Sequence, residues 1–174
     1  MSKHPASEHA QRFLSHLQRL DREALAKLRH SLAFDPGTYS PAFPYVERFV
    51  SKEAHERDAR RLALYAVAGL FARHPRTGTQ GFASAFAELF RHRKSESLEK
   101  RFVALLAADA ENIHDYLRQA VSLLAADEIP MNHATLLDDL ALWMNPWADP
   151  DRLDRLRQRW ARDFYRVIDT STES

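Results

Sequence analysis

The 174-residue sequence contains no cysteine, which excludes disulfides, a thiolate nucleophile, cysteine-ligated zinc and any secreted disulfide scaffold. That lack fits a reducing compartment. Glycine is scarce too. Only Gly37, Gly69, Gly78 and Gly81 occur, and they form neither a G-x-x-x-x-G-K phosphate loop nor a G-x-G-x-x-G turn, which disfavours the common nucleotide-binding enzymes. Long apolar runs are also missing. The stretch from Leu62 to Phe71 falls well short of the roughly 20 residues a membrane helix needs, and Met1-Ser-Lys-His-Pro lacks a signal peptide's hydrophobic region. These absences lead us to expect a soluble, cytoplasmic protein. At 45% hydrophobic residues, a chain of this length buries roughly 70% of its unfolded surface.

No excess of either charge sign marks the whole chain, with 25 Lys and Arg against 24 Asp and Glu. The signs are nevertheless segregated. Arg12 to Arg29 holds five basic and two acidic residues, Arg91 to Arg101 five and two, and Arg152 to Arg166 six and two; Asp109 to Asp139 carries seven carboxylates and the single cation Arg118. Such a chain offers a basic face to phosphates and an acidic face elsewhere.

Helical periodicity dominates, with no run of strand alternation. Phe13, Leu14, Leu17 and Leu20 form a stripe starting near Ser7, and Asp21 caps a helix carrying Leu25, Leu28 and Leu32. Asp35-Pro36-Gly37-Thr38 reads as a turn, with Gly37 taking positive φ. Pro41 and Pro44 permit only short pieces around Tyr45 to Val50, and a longer helix spans Ala54 to Ala72 before His74-Pro75 breaks it. Gly81 to Phe90 forms the next helix. The polar, basic segment Arg91 to Ser97 is the best candidate boundary between two lobes, 1–92 and 93–174. Leu98, Phe102 and Leu105 define a further helix, then Ile113, Tyr116, Leu117, Ala120 and Leu124, and Asn132 caps one bearing Leu136, Leu137, Leu140 and Trp143. In the final helix Asp149 is the cap and Pro150 the first residue. Leu153, Leu156, Trp160, Phe164 and Val167 fall within about 80° on its apolar side, with Arg155, Arg159, Arg162 and Arg166 opposite. The expected fold is an all-α compact bundle of eight or nine short helices, with unstructured ends at 1–6 and 169–174.

Catalytic chemistry finds little support. No two of the nine histidines sit three or four apart, so no metal-ligand spacing is present, and they read as scattered surface histidines. Asp127-Glu128 and Asp138-Asp139 point about 100° apart within each pair and read as charged helix surface or complements to helix dipoles. We expect no catalytic residue, metal, cofactor or small-molecule substrate. Tryptophans Trp143, Trp147 and Trp160 read as core, with Trp147 the least committed. Arg157 and Arg29 lie at apolar edges and read as snorkelling side chains; the arginine stripe of the final helix reads as a solvated face. Lys100 and Arg101 differ. With Arg91, Arg93 and Lys94 they put five cations within eleven residues near a helix N-terminus, which itself favours anions.

Four blocks then carry a resemblance: Lys27-Leu-Arg-His-Ser-Leu-Ala-Phe-Asp-Pro-Gly-Thr-Tyr with the following Pro-Ala-Phe-Pro-Tyr-Val; Ser97-Leu-Glu-Lys-Arg-Phe-Val-Ala-Leu-Leu-Ala-Ala-Asp; Leu117-Arg-Gln-Ala-Val; and Asp138-Asp-Leu-Ala-Leu-Trp. In order and spacing, from about Phe13 to Tyr165, the chain resembles the CasB family, the small subunit of Cascade, the type I-E CRISPR surveillance complex. Residues Arg73 to Arg93 and both tails match least. The resemblance implies an all-helical, non-catalytic protein, present in two copies packed head to tail beside other Cascade subunits. It also implies a basic surface for guide RNA and target DNA strands as the R-loop opens. Basic residues of the matching blocks are Lys27, Arg29, Lys100, Arg101 and Arg118, to which Arg91, Arg93 and Lys94 add the neighbouring cluster. A helical protein–protein adaptor without nucleic-acid contact is the alternative.

Overall fold

The computed structural model describes residues 4–170. Among them the chain forms nine α-helices: α1 (Glu8–Leu17), α2 (Arg22–His30), α3 (Phe43–Val46), α4 (Ala59–Arg73), α5 (Phe82–Arg93), α6 (Glu96–Leu106), α7 (Ile113–Ala126), α8 (His133–Trp143) and α9 (Pro150–Thr170). Short 3-10 turns occupy Ser31–Ala33, Ser40–Ala42 and Glu47–Phe49. No sheet exists among the described residues, only an isolated bridge between Thr77 and Met131. No helix there is long and apolar enough to cross a membrane.

Local chemistry sets the starts. Ser7 accepts from the Ala10 N–H at 3.1 Å, Asp21 from Ala24 at 2.9 Å and Asn132 from Thr135 at 3.1 Å, each relieving one orphan donor of the first turn. Two expected boundaries shift. α4 begins at Ala59 rather than Ala54, because Asp58 accepts from Arg60 and Arg61 N–H groups and closes off the turns before it. α5 continues through Arg91, His92 and Arg93 to end at Lys94, whose φ of 50° terminates it. The expected basic loop is therefore mostly the last turn of a helix.

α4 is the hub. Ala63 through Ala72 are all buried, enclosed by α2, α7 and α8. α5 packs along α9, and one continuous cluster of apolar side chains runs from Ala10 to Phe164, crossing position 92 through the α4–α8 and α5–α9 contacts. At α4's crossing with the Ser31–Ala33 turn stands Gly69, where a Cβ would lie 2.6 Å from Leu32 Cδ2.

Several polar residues expected at the surface are structural instead. Asp138 accepts from the Ser7 N–H at 2.7 Å, the Ser7 hydroxyl at 2.8 Å and Arg60 at 3.3 Å, tying the chain before α1 to α8. Its neighbour Asp139 accepts from Arg159 and from the Trp160 indole, joining α8 to α9. The acidic pair is thus a double clamp, not a solvated helix surface. Arg157 does not snorkel: it donates to Ala108 O at 2.9 Å and lies over the Trp143 ring, whose Nε1–H donates to the same carbonyl. Nor are the histidines all superficial. His74, His114 and His133 are buried, because tertiary packing closes over faces that the sequence leaves ambiguous. Among the described residues no group of three metal-ligating side chains forms.

Of the expected unstructured ends, 1–3 and 171–174 lie outside the described residues. Within them, Ala6 O accepts from Gln11 at 2.8 Å and α9 continues through Asp169 and Thr170.

Candidate nucleic-acid interface

α5 and α6 meet at a tight corner, Lys94-Ser95, flanked by five cations within eleven residues. Arg91, Lys94, Lys100 and Arg101 are exposed and make no ion pair among the described residues. Lys100 points away from the core, roughly 160° around α6 from the fully buried Phe102. Arg93 differs: its guanidinium grips Asp127 at the end of α7 with two parallel bonds of 3.0 and 2.7 Å. That pairing holds the Asp127 carboxyl below its ordinary pKa and raises that of Arg93. Arg93 therefore belongs to the scaffold of the corner. The α6 N-terminus is not an open anion site either, since its own Glu96 and Glu99 occupy the first turn.

A second group lies around the end of α2. Lys27 pairs with Glu23 at 3.2 Å, a hydrogen bond that raises its pKa, and sits 6.0 Å from the Tyr45 ring. Arg29, about 160° away around the helix, is exposed in the last turn. Arg118 reaches from α7 to donate to Leu32 O at 2.9 Å, so this half-buried residue pins the 3-10 turn after α2. The structure thus puts Arg29 at the end of α2 and fastens Arg118 to the turn that follows it, with Lys27 on another side of the helix.

Two features depart from the sequence expectation, the arginines of α9 and the tryptophan expected in the core, Trp147. Arg155, Arg159, Arg162 and Arg166 are not simply a solvated stripe. Arg159 is engaged by Asp139, and the others line two adjoining hollows of about 400 and 560 Å³ between α9, α8 and the segment before α1. Trp147, in the α8–α9 turn, is 91% exposed. Its position between Pro146 and the Asp149 cap was the available signal.

Residues 24–165 match the family described as CRISPR-associated protein Cse2. A Cse2 protein of Thermus thermophilus is 42% identical over 160 residues, covering 89% of each chain. The crystal structure of CasB from M. ruber superposes with a TM-score of 0.82 at 33% identity, over 97% of this chain and 98% of that one. A chain from a structure described as a CRISPR RNA-guided surveillance complex shares the fold, with a TM-score of 0.79 at 22% identity, over 95% and 96%.

Proposed function

The chain belongs to the CRISPR-associated Cse2 family, and from that premise we propose that it is a non-catalytic subunit of a type I-E RNA-guided surveillance complex in the cytoplasm. Its work is to hold strand backbones of guide RNA and target DNA and so stabilise the R-loop. The observation that carries this reading is the α5–α6 corner, where Arg91, Lys94, Lys100 and Arg101 stay exposed and unpaired among the described residues while Arg93 is held by Asp127. Cations that stabilise no fold remain available to phosphates. Such contacts grip any sequence, and in a nearly balanced strand exchange read by base pairing, backbone contacts tip the equilibrium. Arg29 joins these four as an exposed candidate with no ion pair among the described residues; Lys27 and Arg118 contribute while also held by the fold. The partners are the two nucleic acids, the other subunits and a second copy lying head to tail.

Reconstituting the complex with Lys100→Ala and Arg101→Ala together should shorten R-loop lifetime while leaving the chain's thermal midpoint nearly unchanged, because exposed cations usually contribute within about 0.5 kcal/mol to folding. Arg155→Ala with Arg162→Ala is the comparison pair, expected to have little effect; equal defects would move the strand-binding face to α9. The exposed Trp147 favours a second reading, a protein–protein adaptor. On that reading R-loop lifetime is unchanged in the cation variants, and Trp147→Ala releases the chain from the complex.

A further inference from the structure

At the end of α2, where His30 follows Arg29, the surface carries an aromatic group that the core does not absorb. Phe34 lies nearly parallel to Tyr39, centroids 4.9 Å and planes 11° apart, and His30 stands against the two rings at 5.8 and 5.2 Å. Tyr39 is half-buried against the core, whereas Phe34 leaves 45% of its surface exposed. One face of the phenyl ring is therefore backed, and much of the rest is open.

The ring is held in place from both sides along the chain. Before it, Arg118 fastens the Ser31–Ala33 turn through Leu32 O. After it, Asp35-Pro36-Gly37-Thr38 folds Tyr39 back onto Phe34, with the Thr38 N–H donating to Asp35 O at 3.2 Å and Gly37 at φ 81°. Arg61 of α4 donates to Gly37 O at 3.3 Å, anchoring the turn, and a Cβ at this position would lie 2.4 Å from the Arg61 guanidinium, so the close approach needs glycine. A flat face fixed in advance loses little freedom when something stacks on it. Arg29, the residue before His30 in the last turn of α2, is exposed and unpaired among the described residues.

We propose that Phe34, backed by Tyr39 and His30, is a stacking platform for an unpaired nucleobase whose phosphate is held by Arg29. A nucleotide presents both a flat π-face and an adjacent negative charge, matching ring and guanidinium together. An acidic peptide would use Arg29 alone and leave the ring wet. This inference rests on the nucleic-acid reading above and adds base contact to backbone contact.

The test titrates the full chain into a fluorescein-labelled oligothymidylate and into an abasic strand of the same length, across a salt series. Phe34→Ala should weaken binding to the intact strand about tenfold, as expected for one lost base stack. It should leave the salt slope and the abasic strand's affinity unchanged, and Phe34→Trp should keep wild-type affinity. Arg29→Ala should flatten the salt slope on both strands by roughly 0.7. Loss of the Phe34 effect, or an equal loss on the abasic strand, overturns the platform while the nucleic-acid reading stands. If the wild-type chain binds neither strand, both fall.

Discussion

His133 occupies the first position of α8, fully buried, with neither ring nitrogen hydrogen-bonded among the described residues. The Phe71 ring stands T-shaped to it with centroids 5.2 Å apart and the His74 centroid is 6.3 Å away, with His74 Nε2–H donating to Ile129 O. Burial, reinforced by the neighbouring imidazole, lowers its pKa from 6.5 to about 4. Between those values the unfolded chain binds a proton that the folded chain refuses. Stability from this residue is therefore complete above pH 6.5 and is lost as pH falls towards 4, by about 3 kcal/mol in full. Burial lowers the pKa of His74 and of His114 as well, with the same sign. Urea unfolding at pH 7 and pH 4.5 should show a loss that His133→Leu reduces by about 2 kcal/mol. An identical loss in the variant would mean that His133 opens to water before it titrates.

At the scale of elements, α4 shows how packing overrides propensity. Gly69 is inside a buried helix, where alanine would be favoured intrinsically by about 1 kcal/mol. Yet a methyl there would meet Leu32 Cδ2 at 2.6 Å, Leu32 Cγ at 3.0 Å and the Ser31 hydroxyl at 3.2 Å. Displacing that turn against the Arg118 bond costs about 1–3 kcal/mol. Gly69→Ala should therefore lower the urea midpoint, with a net loss of about 1 kcal/mol; a raised midpoint would show that the turn yields freely. The α5–α6 corner teaches the complementary point. Its charges were visible along the chain, but Asp127, lying 34 positions from Arg93, separates scaffold from surface.

For the molecule as a whole, near-zero net charge conceals cations that the fold leaves exposed at the α5–α6 corner and beside α2. If three to five phosphates are engaged, the logarithm of the isolated chain's affinity for single strands should fall with log salt at a slope of roughly −2 to −3.5, with little sequence preference. Lys100→Ala with Arg101→Ala should flatten that slope by roughly 1.4. Fluorescence anisotropy across a salt series measures both, and salt-insensitive binding would exclude a phosphate-led grip.

The sequence by itself determined the helical class, the starts at Ser7, Asp21, Asn132 and Asp149, and the Gly37 turn. Each depends on contacts within a few residues, where periodicity and capping chemistry act alone. The four blocks also carried the family, since block order survives where individual contacts vary. Which charges are available to a ligand was decided only by the tertiary structure. Asp138 meets Ser7 across 131 positions, Arg118 meets Leu32 across 86, and His133 disappears beneath Phe71. A helical repeat fixes which face a side chain occupies; the partner waiting on that face comes from another part of the chain, and only packing brings it there.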